Sequence, residues 1–532
     1  SPMHQVDGLV YSAPIVPFVM MAAVFGIGRL LQIIRPAANR TRTRSDESGG
    51  QSAFIRVHPR PVTFRTQINV DWRRFHPASF TLHPFLCGAI LLCGLLDQHW
   101  YGYTFFGDNY RHLVVNEHHR RAAAIIEQIP PDAAVSAQDR LDPHVSQRET
   151  VYIFPRIDDP RIGRADTVFV DVTGSAWPQH PNDLRNDIDA LLAADFGIAA
   201  ADHGYLLLST ESSRREFSDS FYDAWRLPNF VSPDDGSVEF ANGLRLLHHE
   251  VVADSRHELI TKLYWQATEP LPDDVRFYVA YLDLEWNLLH DTLFYPPTAT
   301  LWYPTSLWAA DVPILVQTLP WSLDVERFVL ALGVYQGEDG WQTGQRIPVV
   351  TAEPTLPLFE GNHLIRLGGY ERVGQRKWHA IKPHDAPPGT SLDAHFTAKS
   401  GIQISLEGVT LASTKVQAGG ELPLTLHWQS RGPLTLDYTI FVHLIASNGE
   451  KVAQIDWQPH DEISRLPTSA WIPEQPVVDA QVLPLPETLE SGEYRLIVGL
   501  YHWQDGQRLP VVGSDSVGGD VIVIADDLEI AR

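Results

Sequence analysis

One long segment of this chain occurs twice, and that duplication constrains the fold of more than half of it. Leu263-Tyr-Trp-Gln266 returns as Leu426-His-Trp-Gln429, and Tyr303-Pro-Thr-Ser-Leu-Trp308 returns at the same offset as Leu466-Pro-Thr-Ser-Ala-Trp471. Gly333-Val-Tyr335 matches Gly499-Leu-Tyr501, and Gln345-Arg-Ile-Pro-Val-Val350 matches Gln507-Arg-Leu-Pro-Val-Val512. Self-similarity of this kind marks a duplicated structural module. Within each copy, short alternating runs are separated by Gly, Pro and Asp turns, with almost no helical periodicity. The spacing predicts two all-β, immunoglobulin-like sandwiches, at residues 236–370 and 401–532. Residues 371–400, in a stretch rich in Pro, Gly and His, read as the linker between them.

The other end of the chain is apolar and basic. Residues 8–27 carry no charged side chain, and residues 80–96 carry only His83 as a titratable group. Both read as transmembrane helices, the second crossing with little tilt. A secretory signal peptide needs basic residues before its apolar run, and residues 1–7 have no Lys or Arg. Between the two stretches lie Arg29, Arg35, Arg40, Arg42, Arg44, Arg56, Arg60, Arg65, Arg73 and Arg74. Short loops rich in Lys and Arg stay in the cytoplasm, so residues 36–78 read as a cytoplasmic loop and everything from about residue 98 as exterior. Cys87 and Cys93 both fall in the second stretch, where small apolar packing is their ordinary role. Asn39-Arg-Thr41 matches a glycosylation acceptor, which has no meaning in a cytoplasmic loop. Ser1 is not an initiator methionine, and we expect earlier helices of a multi-pass protein to precede it.

Between these two parts, residues 98–213 alternate helix and strand. Residues 117–129 have an alanine-rich apolar face, and Pro130-Pro-Asp132 ends it. Residues 134–137, 151–154, 167–170 and 205–208 read as short buried strands, and residues 182–194 as a helix. That order predicts a small α/β domain with a mostly parallel sheet, joined to the first sandwich by a linker at 214–235. The fold class expected is therefore multi-domain: two transmembrane helices, a small α/β domain, then two all-β sandwiches.

Charge narrows the partners. The whole chain has 41 basic and 65 acidic residues. Residues 1–97 hold 10 of the former and 5 of the latter, which leaves 31 against 60 beyond them. An acidic balance of that size argues against nucleic acid and against anionic lipid as ligands.

The run Ile129-Pro-Pro-Asp-Ala-Ala-Val-Ser-Ala-Gln-Asp-Arg-Leu-Asp-Pro-His-Val-Ser-Gln-Arg148, with Val151-Tyr-Ile-Phe-Pro155 and Ala165-Asp-Thr-Val-Phe-Val-Asp171, resembles the soluble C-terminal part of a bacterial membrane family. That family is domain of unknown function 2079, and Tyr11-Ser-Ala-Pro-Ile-Val-Pro17 resembles one of its late transmembrane helices. The family is similar to the multi-pass glycosyltransferases of the GT-C type, which use lipid-linked sugar donors. In those enzymes the catalytic acidic residue lies in the first exterior loop. The resemblance therefore implies that the catalytic part is missing from this chain and that the fragment itself is inactive. The sandwiches resemble modules appended to sugar-transferase-like membrane proteins.

Candidate binding residues come with structural alternatives. Asp142, His144, Ser146 and Arg148 fall at alternate positions, so an extended segment places them on one face. Such a face can hold a phosphate or sugar hydroxyls. Equally, Asp139 or Asp142 can cap a short helix and Arg148 can pair with a carboxylate. Asp166 and Asp171 bracket an interior strand, where α/β domains keep ligand-binding residues and where turns also place aspartates. His112, His118 and His119 invite a metal reading but lack a second cluster at ligand spacing. Trp302, Trp321 and Trp341 read as having no tryptophan at their matching positions in the other repeat, which makes them the better candidates for exposure. With Trp308, Trp471 and Trp503 they are candidates for sugar stacking, against packing roles; recurrence favours packing for Trp308 and Trp471. Trp265 and Trp428 read as core.

These readings predict the exterior end of a membrane glycosyltransferase-like protein of the bacterial cell envelope. Its partners would be the membrane and a lipid-linked sugar or envelope polysaccharide, with no cofactor and no metal. The alternative is a non-enzymatic, membrane-anchored binding or spacer protein built on paired sandwiches. A soluble hydrolase is disfavoured, since the chain shows no nucleophile elbow, zinc motif or convincing carboxylate pair.

Overall fold

The computed structural model describes residues 82–101 and 115–531, apart from short stretches at 175, 178, 234–235, 254–257, 338–340, 342–343, 354, 375–376, 383–386 and 514–518. The chain divides into two units, Ser1–Val115 and Asn116–Arg532.

Two transmembrane helices are not supported. Residues 8–27 lie outside the described residues. Residues 80–96 overlap helix α1, Leu82–Tyr101, but no described helix is long and apolar enough to cross a membrane. His83 and Pro84 open α1, and Asp97, Gln98 and His99 close it. The apolar run between them, residues 85–96, spans only about 18 Å at the helical rise, against about 30 Å of hydrocarbon.

The second unit opens with α2, Glu117–Ile126. Its start is a capping box: the His119 amide donates to Asn116 Oδ1 at 3.0 Å, and the Asn116 amide donates to His119 Nδ1 at 3.2 Å. Strands β1 Val135–Ala137, β2 Val151–Ile153, the small hairpin of β3 Asp158–Asp159 and β4 Gly163–Arg164, and β5 Thr167–Asp171 follow. A single-turn helix, α3 Asp142–Val145, lies between β1 and β2. Helix α4 Pro181–Ala193 then leads to β6 Gly197–Asp202 and β7 Tyr205–Ser209.

The sheet order is β2-β1-β5-β7-β6. Strand β1 lies parallel to β2 and β5, whereas β7 is antiparallel to both β5 and β6. The sheet is thus mixed rather than mostly parallel. The cause is local: His203 (φ 50°) and Gly204 (φ 77°) are both left-handed, the geometry of a two-residue turn that folds β7 back on β6. Every residue of β5 is buried. Helix α4 packs Leu184, Ile188 and Leu191 against one face, with Val168, Val170, Leu206 and Leu208. On the other face, Ile125 and Ile129 meet Phe169, Tyr205 and Leu207. The result is a three-layer α/β/α arrangement with β5 at its centre.

The rest is two β-sandwiches of the same topology. One sheet of the first runs Ile314–Gln317, Leu259–Ala267, Leu244–Ala253, Val238–Phe240, Val349–Ala352. Its counterpart in the second runs Pro476–Pro484, Glu421–Ser430, Gln403–Leu411, Thr390–Thr397, Val511–Gly513. The facing sheets are built on Val275–Leu282, Arg327–Gln336 and Leu364–Val373 in the first, and Tyr438–Ala446, Gly492–His502 and Ile522–Ala531 in the second.

The repeated motifs are structural. In Pro-Thr-Ser-x-Trp the threonine hydroxyl accepts from a strand amide, Val275 to Thr305 at 2.9 Å and Tyr438 to Thr468 at 3.0 Å. The serine amide donates to an aspartate, Asp274 or Asp437. The indole donates back to the residue five places earlier, Trp308 to the Tyr303 carbonyl and Trp471 to the Leu466 carbonyl. In Leu-x-Trp-Gln the tryptophan is fully buried. The glutamine amide ties down a following loop, Gln266 to the Asp311 carbonyl at 3.0 Å and Gln429 to the Glu474 carbonyl at 2.7 Å.

Equivalent turns also join the bodies in series. In the first sandwich, Thr298 Oγ1 donates to the Thr173 carbonyl of the α/β part at 2.9 Å, and Arg185 from α4 donates to the Leu301 carbonyl. In the second, the turn at 459–466 grips the first sandwich. Asp461 pairs with Arg366, Ile463 enters a cluster with Leu282, Ala331 and Trp341, and the Arg465 amide donates to the Leu284 carbonyl at 2.8 Å.

Candidate functional site

Parallel strands β1 and β5 end side by side, and their carboxyl ends carry a polar cluster. The carboxyl side of parallel strands is where α/β folds hold ligands. Asp171 is the last residue of β5 and is 6% exposed. Its carboxylate lies 3.1 Å from His118 Nε2 and accepts from the Thr173 hydroxyl at 2.7 Å and the Thr173 amide at 3.0 Å. Arg140, in the turn after β1, approaches the same carboxylate at 3.8 Å and donates to the Asp171 carbonyl at 3.4 Å. The Asp171 amide donates to Gln138 Oε1 at 2.9 Å.

Each side chain is held by its element. His118 projects from the first turn of α2, whose start is fixed by the Asn116 cap. Its ring stacks on Tyr205 at 4.3 Å, and His203 lies 5.8 Å away across the β6–β7 turn. Gly204 keeps this turn close: a Cβ there would come within 2.1 Å of Thr173 Cγ2.

The electrostatics follow from the packing. Burial pushes the Asp171 carboxyl up, but the His118 hydrogen bond, the Arg140 charge and the Thr173 hydroxyl outweigh it and hold the carboxyl well below the usual range. Burial and the neighbouring Asp171 charge push the Tyr205 phenol up. Burial, then His118, pushes the His203 imidazole down. The site therefore pairs a carboxylate favoured in its ionised form with guanidinium, imidazole and hydroxyl groups. One more group is in place: Gln138 is 2% exposed, and its Nε2 has no hydrogen-bond partner among the described residues. A buried amide donor without a partner is costly unless something accepts from it.

Residues 103–207 match the family of predicted membrane proteins catalogued as domain of unknown function 2079. This segment contains every residue of the cluster. No curated protein matches the chain. Among solved structures, the CARDB domain of a Pyrococcus furiosus protein in complex with di-metal ions is similar at 11% identity, over 24% of this chain and 93% of that one, with a TM-score of 0.16. The native conformation of the Escherichia coli alpha-2-macroglobulin is similar at 10% identity, over 62% of this chain and 13% of that one, with a TM-score of 0.15. At these scores neither likeness carries an argument.

Within the segment matching that family, the other described candidate residues form no hydrogen bond or ion pair with Asp171, although the Asp142 amide donates to the Gln138 carbonyl at 2.8 Å. Asp142 begins α3, where burial and then Asp139 push its carboxyl up, and its Oδ1 has no partner among the described residues. His144 is exposed on α3, and Arg148 donates to the Pro130 carbonyl. The helical turn of α3 replaces the extended segment that would have aligned them. Asp166 accepts from the Ala134 amide and the Thr167 hydroxyl, a role at the strand entrance. His119 serves the α2 cap, and His112 lies outside the described residues. Among the described residues, no group of three or more His, Cys, Asp or Glu is placed to hold a metal ion.

The tryptophans divide by burial. Trp302, Trp308, Trp341 and Trp471 are all 4% exposed or less, so no ring face is open. Trp341 also has a counterpart: strand pairing sets Arg346 beside Tyr335 and Arg508 beside Tyr501, which aligns Trp341-Gln-Thr-Gly-Gln-Arg346 with Trp503-Gln-Asp-Gly-Gln-Arg508. Trp341 folds over Tyr278 at 4.9 Å, while Trp503 is 59% exposed. Trp321 is half-buried, with one face stacked on His290 at 3.5 Å.

Proposed function

We propose that this chain is the ligand-binding part of a membrane-associated protein of the cell envelope, and that the Asp171 site takes a hydroxyl-rich group, the ring of a sugar. The observation that carries this reading is the convergence of an ionised carboxylate, a partnerless buried amide, a guanidinium and an imidazole at the ends of β1 and β5. A sugar offers both donors and acceptors on adjacent carbons and satisfies such a mixed set. A phosphate would have to lie against the Asp171 charge. Membrane association rests on the family match. In this reading the protein works on the exterior face as the acceptor-contacting end of a glycosyltransferase-like parent that uses a lipid-linked sugar. The Arg366–Asp461 junction favours a second role for the sandwiches, as a rigid spacer between that site and the envelope polysaccharide.

Calorimetric titration of the whole chain with glucose, galactose, mannose and N-acetylglucosamine tests the reading. Binding of one of them, reduced at least tenfold in Asp171→Asn with unchanged far-UV circular dichroism, is the expected result. Failure of all four to bind, or equal binding by the variant, sinks it.

A further inference from the structure

We propose that the exposed rings of Trp177, Phe294 and Tyr295, backed by His180, His290 and Trp321, form a platform for the successive sugar residues of a neutral glycan chain extending from the Asp171 site. This rests on the sugar-binding reading above and adds the ligand class.

The loop after β5 links the two places. It carries Thr173, which donates to Asp171 through its hydroxyl, and a few residues later Trp177 and His180. The Thr173 carbonyl in turn accepts from Thr298, three residues beyond Tyr295 in the first sandwich. Four of the rings form a row, flanked in sequence by Trp177, three residues before His180, and by Phe294, next to Tyr295. His180 lies 5.1 Å from Tyr295, Tyr295 lies 5.8 Å from His290, and His290 stacks on Trp321 at 3.5 Å. The outer rings are open to solvent: Trp177 is 60% exposed, Phe294 76% and Tyr295 45%. Three large aromatic side chains left uncovered on adjoining loops signal a binding surface rather than a packing need.

The chemistry selects the ligand. Aromatic faces match the apolar C–H faces of pyranose rings, while imidazoles and a phenol set among them match the hydroxyls. The chain's net charge of −24 disfavours anionic glycans and anionic lipid alike. A surface that enters lipid would also have no use for the interleaved imidazoles.

The test is titration of the full chain with maltohexaose, cellohexaose and chitohexaose, each beside its monosaccharide. One hexasaccharide should bind at least tenfold more tightly than its monosaccharide. Trp177→Ala and Tyr295→Ala should each lose about tenfold in hexasaccharide affinity while leaving monosaccharide affinity unchanged. Both side chains are exposed, so the fold tolerates the changes. Hexasaccharides that bind no better than monosaccharides, or ring variants equal to wild type, overturn the platform and leave the Asp171 reading standing. Ring variants that weaken hexasaccharide binding while Asp171→Asn does not would keep the platform and remove that reading. Sedimentation with neutral phosphatidylcholine vesicles that is lost in Trp177→Ala, with no glycan binding, assigns the surface to membrane and overturns the proposal.

Discussion

Arg366 and Asp461 form a bidentate ion pair across the junction of the two sandwiches. Arg366 Nη1 donates to Asp461 Oδ1 at 3.1 Å and Nη2 donates to Oδ2. The arginine side chain is 5% exposed and the aspartate 17%, so water screens the pair weakly. Ser464 Oγ accepts a further bond from Arg366, and Trp286 Nε1 donates to the Arg465 carbonyl beside it. The second repeat is therefore clamped to the first.

Removing one partner of this pair leaves a charge in a dry junction. Arg366→Met should cost about 3 kcal/mol and loosen the two sandwiches relative to each other. Arg366→Met with Asp461→Leu should recover part of that loss. Urea denaturation reads the stability, and small-angle scattering reads the coupling. Equal stability of Arg366→Met and wild type would show that the pair contributes nothing to holding the junction.

Thr468 presents a simpler test of the repeat motif. Its hydroxyl accepts from the buried Tyr438 amide and donates to the Leu436 carbonyl at 2.8 Å. Thr468→Val keeps the shape and removes both bonds, so we expect a loss of about 1–3 kcal/mol. Thr305→Val, which removes the bond from the buried Val275 amide, should likewise destabilise the first sandwich. Thermal unfolding of the two variants measures both, and a loss in one repeat without the other would separate the motif's two copies.

Asp171 makes the α/β part acid-sensitive. Its folded carboxyl titrates below the unfolded value, so it adds stability above the ordinary carboxylate range, and that stability is lost as pH falls toward the folded value. Asp171→Asn should flatten the decline in melting temperature below about pH 4. His118→Ala removes one of the groups that hold the carboxyl down and should move the decline to higher pH. Superimposable acid limbs for the wild type and both variants would mean that Asp171 is not held ionised.

What the sequence displayed depended on how local each signal was. Pro-Thr-Ser-x-Trp and Leu-x-Trp-Gln were visible because each motif closes hydrogen bonds over a few residues and occurs twice. Asp171 was visible because it ends a short β-branched strand. Its pairing with His118 was not, because the contact joins residues 53 apart and the neighbouring His119 drew the histidines toward a metal reading that lacked a second cluster. Strand β6 escaped because Gly197-Ile-Ala-Ala-Ala-Asp202 lacks β-branched alternation; pairing with β7 overrides its propensity. The match of Trp341 to Trp503 was hidden by a length difference in the preceding loop. Residues 85–96 have the composition of a span but not its length.

Asp479 gives the opposite pH dependence. It is fully buried beneath the turn that grips the first sandwich, where it accepts from Trp457 Nε1 at 2.8 Å, Gln481 Nε2 at 3.2 Å and the His460 amide at 3.3 Å. Burial outweighs these bonds and pushes its carboxyl up to about 6. A raised folded value means that the native state favours the protonated acid. Its contribution is complete below the unfolded value near 4 and is lost as pH rises through 6, a change of about 3 kcal/mol. Asp479→Asn keeps an acceptor for the Trp457 indole and never ionises. The variant should gain on wild type as pH rises from 4 to 7, and the gap should close again toward pH 4. Because His460 also bonds Glu285 of the first sandwich at 3.0 Å, the ionised aspartate should strain that contact first. Hydrogen exchange at residues 459–466 should therefore quicken in wild type between pH 5 and 7 beyond its intrinsic rise, and not in the variant. Parallel stability curves for the two proteins across this range would place the Asp479 carboxyl at an ordinary value and remove the argument.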